Sequence, residues 1–169
     1  MGADEAVTPL TIQARVPGAA PPPQVLRGPA RSPATGALRP VVAGIGFRHA
    51  TTPDEILTLV AAGLRQADLA GARLSALATA ADRAGDSAIR AAAETLGVPV
   101  VAVAVEALRE AGRRVVTRSA RIEASRGVGS LAEAAALAAA GPDARLVLPR
   151  IASAGATCAL AASGDDLPS

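Results

Sequence analysis

The sequence predicts a single α/β domain of three layers, with helices over both faces of a mostly parallel sheet, and three observations carry that expectation. Short apolar runs rich in β-branched residues alternate with segments of helical period. Glycine, proline and capping residues punctuate most of the junctions. Half of the 169 residues are apolar, enough for a core of ordinary size. That apolar half is mostly alanine, 44 residues, and Phe47 is the only aromatic, so the helices are expected to pack closely with few bulky anchors.

Residues 1–39 are set apart: seven of the 13 prolines fall there, an eighth being Pro40, in stretches such as GAAPPPQVLRGPARSP. Missing backbone donors and fixed φ angles oppose helix and sheet alike, so a disordered tail is expected, either dispensable or a docking segment for a partner. The domain spans residues 40–163. VVAGIGF reads as a buried strand broken by Gly44 and Gly46. A helix follows: Thr52 is its N-cap, Pro53 suits the first position, Glu55 completes a capping box, and Ile56, Leu57, Val60, Leu64 and Ala67 share a face. The alternation continues with a strand over 74–80, a helix over 87–96 stopped by Gly97, a strand over 98–103 and a short helix over 105–111 ended by Gly112. Residues 113–126 read mainly as loop. Ser130 and Glu133 open another helix with a second capping box, and Gly141 and Pro142 close it. ARLVLPR is a strand, and a turn at Ala154 and Gly155 leads into a closing strand over 157–161; that hairpin would make the sheet mixed. Residues 164–169 are expected to fray.

Composition narrows the function. All 17 basic residues are arginine, which points to GC-rich coding; the net charge is only +2, and no aromatic cluster is available to stack on bases. Nucleic acid is not an expected partner. One cysteine, Cys158, and one histidine, His49, exclude an intramolecular disulfide and leave too few soft ligands for a zinc or iron site, so neither metal nor cofactor is expected. With no secretory pattern and no apolar run approaching the roughly 20 residues of a membrane span, a cytoplasmic protein without a membrane partner is expected.

Three constellations could carry chemistry. In GIGFRHATTPDE a buried strand delivers Gly44, Gly46, Arg48, His49, Thr51 and Thr52 to a helix start, where free N–H groups and the dipole favour anions. Arg48 could grip a carboxylate or phosphate, and His49 could donate a proton. The pattern lacks the third glycine of a dinucleotide fingerprint and the Lys-Ser/Thr of a P-loop, and the glycines equally suit a tight strand-to-helix turn. In GVGSLAE, Gly127 and Gly129 precede Ser130 and Glu133, either as a structural cap or as a second anion site facing the first across one sheet edge. The C-terminal segment carries Arg150, Ser153, Thr157 and Cys158; Arg150 is the ligand-contact candidate, while Cys158 reads as a core residue. Of Arg113, Arg114, Arg118, Arg121 and Arg126, the choice is between a solvated surface and a rim that attracts a polyanion.

Taken in order, VAGIGFRHATTPDEILTLV, GVGSLAEAAAL and LVLPRIASAGATCALA resemble the CobE family, also found as the C-terminal domain of CbiG, in cobalamin (vitamin B12) biosynthesis. The resemblance implies an α/β domain and a place in corrin-ring construction. In CbiG the module is fused to an N-terminal domain and accompanies hydrolytic opening of a ring lactone. This sequence resembles the stand-alone form, so that hydrolase activity, with His49 as its weak candidate catalyst, stands as an alternative. A non-catalytic partner module of another pathway enzyme is a further one. The family loop usually reads G-I-G-C, two basic residues and a glycine; here Phe47 and Ala50 replace the cysteine and glycine, which removes thiol chemistry and leaves anion binding. The leading expectation is a protein that binds or handles a polycarboxylated corrinoid or other tetrapyrrole intermediate.

Overall fold

The computed structural model describes residues 40–164. The expected proline-rich tail, and all of the expected frayed end except Gly164, lie outside the described residues. Five strands, β1 (Pro40–Phe47), β2 (Arg73–Ala80), β3 (Val100–Val103), β4 (Arg145–Ala152) and β5 (Ala156–Ala162), form one sheet in the order β3-β2-β1-β5-β4. The β1–β2 and β2–β3 pairings are parallel, and β1–β5 and β5–β4 antiparallel. The terminal hairpin does make the sheet mixed. Its turn lies at the same edge as the C-terminal ends of the three parallel strands.

β1 is central and buried on both sides, and its pleat sorts its side chains between two cores. Val41, Ala43 and Ile45 enter the core under α1 (Pro53–Gln66) and α2 (Ser87–Leu96), where Ile56, Leu59, Val60 and Ile89 meet them. Val42 enters the opposite core under α3 (Val105–Ala111) and α5 (Leu131–Ala140). The layers are therefore helix, sheet, helix, as the alternation predicts.

The alanine excess has its reason in α5. Every residue from Leu131 to Leu137 is buried, the state of a helix enclosed on all sides. It lies so near the sheet that a Cβ on Gly44 would stand 1.9 Å from the carbonyl oxygen of Ala132 and 2.5 Å from the nitrogen of Ala136. Gly44 and the alanines are the two halves of one close approach.

Residues 113–126 depart from the expected loop. After a 3-10 turn at Gly112–Arg114, α4 (Ala120–Arg126) forms a short helix ended by Gly127 in the left-handed region at φ 75°. Its sequence, ARIEASR, has only Ile122 to bury, so periodicity gives no signal. Tertiary contacts secure it instead, including the Ser119 N–H donating to the Gly129 carbonyl at 2.7 Å.

Both capping boxes are half-made. Thr52 Oγ1 accepts from the Glu55 N–H at 3.2 Å, and Ser130 Oγ from the Glu133 N–H at 3.4 Å. The reciprocal bond, from each glutamate back to its own cap, is replaced by long-range partners. The box spacing correctly located both helix starts, but it mistook where the carboxylates go.

Candidate functional site

A cleft of about 660 Å³ opens at the strand-end edge, within the usual range for small-molecule sites. Its walls come from four places. The end of β1 and the loop after it supply Gly46, Phe47, Arg48 and His49. Arg83 comes from the 3-10 turn that follows β2. α4 and the start of α5 add Ser119, Arg121, Ile122, Ser125 and Leu131. The β4–β5 hairpin closes the space with Arg150 and residues 152–157.

The charge is one-sided: Arg48, Arg83, Arg121 and Arg150 face the cleft, and no aspartate or glutamate is among the described residues lining it. Phe47, Ile122, Leu131 and the alanines of the hairpin give it an apolar wall. An apolar wall beside a few convergent cations suits a ligand whose body is apolar and whose periphery is anionic.

Two buttressing carboxylates hold this geometry from opposite faces of the sheet. Glu55, on α1, accepts the Ser153 hydroxyl at 2.5 Å and the Gly155 N–H at 2.6 Å, pinning the hairpin turn. The Ser153 and Gly155 hydrogen bonds, with the charge of Arg48, keep its carboxyl below the ordinary range. Glu133, on α5, is fully buried. Burial opposes its charge, but the Thr117 hydroxyl and the N–H groups of Arg150, Thr117 and Val116 outweigh that penalty and hold its carboxyl low as well. The three N–H contacts are 2.9, 2.9 and 2.6 Å. Glu133 thus sets the backbone from which Arg150 enters the cleft.

Of the residues singled out by sequence, Gly46, Phe47, Arg48, His49, Arg121, Arg150, Ser153 and Thr157 line the cleft. The others serve its frame. Gly44 admits α5. Thr51 donates to the Gly155 carbonyl at 2.7 Å and accepts the Arg48 N–H at 3.1 Å, tying loop to hairpin. Thr52 and Ser130 are N-caps, Gly127 ends α4, and Gly129 is pressed against Arg118. Thr157 donates to the Gly46 carbonyl at 3.2 Å. Within the arginine run, Arg113 and Arg118 pair with Glu110 and Glu123, Arg114 donates to the carbonyls of Pro142 and Ala144, and Arg121 lines the cleft. Sequence reasoning missed Arg83 and Ser119, Ile122 and Ser125. Arg83 follows directly on a strand end of the edge where open α/β sheets bind ligands, a usable signal once β2 is placed. The α4 residues had none.

Cys158 is buried, and burial alone pushes its thiol up to about 12, so it is a core residue rather than a nucleophile. His49 is exposed on the rim, with no described side chain hydrogen-bonded to its ring. Among the described residues no group of three His, Cys, Asp or Glu could hold a metal ion, and no helix is long and apolar enough to cross a membrane.

The family model for the cobalamin synthesis G C-terminus matches residues 41–161. The chain belongs to that family. This cobalamin synthesis G C-terminal domain is 35% identical over 121 residues to Protein CobE from Sinorhizobium sp, covering 72% of this chain and 79% of the relative. Its fold matches a crystal structure of CobE, a protein from the cobalamin (vitamin B12) biosynthetic pathway, with a TM-score of 0.69 and 30% identity, covering 73% of this chain and 90% of that one. It also matches the cobalamin biosynthesis protein chiG from Agrobacterium tumefaciens str. C58, with a TM-score of 0.60 and 35% identity, covering 74% of this chain and 99% of that one.

Proposed function

We propose that this CobE/CbiG C-terminal domain binds a polycarboxylated corrin-ring intermediate of cobalamin biosynthesis in the strand-edge cleft. The observation that carries the reading is the acid-free lining, in which four arginines surround an apolar wall. Corrin precursors are broad and apolar in the middle and carry acetate and propionate carboxylates at the edge, which is the complement of that lining.

Magnitudes require both halves of the cleft. Exposed arginine–carboxylate pairs contribute about 0.2 to 1 kcal/mol each, so the exposed Arg48 and Arg121 together reach at most about 2 kcal/mol of the roughly 8 kcal/mol of micromolar affinity. Each Å² of ring face buried against the apolar wall adds about 25 cal/mol, before the cost of association. Charge alone would give a weak, salt-sensitive encounter; the apolar wall makes a complex.

Titration of the full chain with a corrin-pathway tetrapyrrole, followed by absorbance shift or fluorescence quenching, tests this. A saturable change at micromolar ligand is expected. Folded protein that produces no change would sink the reading. A hydrolytic role gains no support from His49, since a general base needs an orienting partner and its ring has none among the described residues.

A further inference from the structure

Arg83 is unlike the other cleft arginines. Arg48 and Arg121 are exposed and Arg150 is half-buried, whereas the Arg83 side chain is only 15% exposed. Its guanidinium carbon lies 4.5 Å from the centre of the Phe47 ring. Its ion-pair partner Asp86 is 3.4 Å away from Nη2 and also caps α2 through the Ala88 N–H at 3.3 Å. Nε is buried and has no hydrogen-bond partner among the described residues. A cation largely removed from water, held by one long contact and carrying an unsatisfied N–H, is poised to change partner.

We propose that Arg83, propped on Phe47, is the specificity-determining cation of the cleft, taking one ligand carboxylate in a side-on fork through Nε and Nη. The inference rests on the reading of the cleft as a tetrapyrrole carboxylate site. Nε is shielded at rest, so the guanidinium turns from Asp86 as the carboxylate arrives; the fork then satisfies the N–H that is otherwise buried without a partner. Because this cation is already desolvated, its contact with an oxyanion is stronger than those of the exposed arginines. Phe47 acts by positioning: its ring holds the guanidinium against the cleft wall instead of letting it extend into solvent.

The test is fluorescence titration of the full chain and its variants with uroporphyrin III, an octacarboxylate tetrapyrrole, with circular dichroism and thermal unfolding as checks of folding. Arg83→Met keeps the stem over the ring and removes the charge; Kd is expected to rise about tenfold or more. Arg83→Lys, with charge but no fork, should recover only part of that loss. Phe47→Leu should raise Kd about threefold in the parent and distinctly less when Arg83 is already Met, because the ring acts largely through the guanidinium. Parent-like affinity of Arg83→Met overturns the proposal while leaving the cleft reading intact. An equal cost of Phe47→Leu in both backgrounds also overturns it, since Phe47 would then act as wall alone and not through Arg83. No binding by the parent chain removes the cleft reading and this inference together.

Discussion

At the residue scale, space and charge make different demands on neighbouring positions of one strand and loop. Gly44 has no room: Gly44→Ala would place a Cβ 1.9 Å from a backbone oxygen, and backbone on both sides cannot step aside as a flexible side chain would. The expected cost is about 3 kcal/mol, read as a lowered urea midpoint at unchanged m-value. Arg48, four residues on, is exposed and its side chain supports little of the fold. Arg48→Ala should leave the urea midpoint within about 0.5 kcal/mol of the parent and weaken uroporphyrin III binding about two- to fivefold, the worth of one screened pair. A stability loss at position 48 comparable with that at 44 would contradict the division of labour between them.

At the element scale, the two helix starts show what spacing conveys and what it does not. Thr52 with Glu55 and Ser130 with Glu133 were legible as capping signals, because the bond from the N3 N–H to the cap oxygen is local. The carboxylates' true partners, Ser153 and Gly155 for one and Val116, Thr117 and Arg150 for the other, are fixed by tertiary packing that no local pattern encodes. The same contrast explains why β1, with its apolar run, and the β4–β5 hairpin, with its Gly155 turn, were readable while α4 was not. It also explains the candidate site: Arg48 and His49 sit just past a readable strand end and Arg150 lies within a readable strand, whereas Arg83 and Arg121 arrive by way of a 3-10 turn and a helix with one apolar contact. Glu133→Ala tests the buttress. It leaves three N–H groups without their acceptor, for an expected loss of about 3 to 5 kcal/mol in unfolding free energy. Native-state hydrogen exchange should quicken at the amides of Val116, Thr117 and Arg150, and ligand affinity should fall because Arg150 loses its fixed origin. Unchanged protection of those three amides would contradict the role given to Glu133.

At the scale of the whole molecule, the hairpin that closes the cleft is gripped from α1 by Glu55 and from α5 by Glu133, and both grips need ionised carboxylates. Each group has its folded value depressed below the ordinary 4.5. By linkage such groups contribute stability that is present in full above the unfolded value and lost as pH falls through the folded one. Cys158 acts at the other end. Its folded value is raised from 9.0 to about 12, so its contribution is complete below 9.0 and declines as pH climbs toward 12. The urea midpoint should therefore form a plateau between about pH 5.5 and 8.5, with an acid limb below about 4.5 and an alkaline limb above about 9. The variants separate the limbs: Glu133→Ala should lower the plateau and flatten the acid limb, whereas Cys158→Ala should flatten only the alkaline one. The binding curve should share the acid limb, because protonating Glu55 and Glu133 frees the turn at Gly155 and the backbone of Arg150 while the arginines stay charged. An acid limb of unchanged steepness in Glu133→Ala would show that carboxylates other than Glu133 set the low-pH limit of the fold.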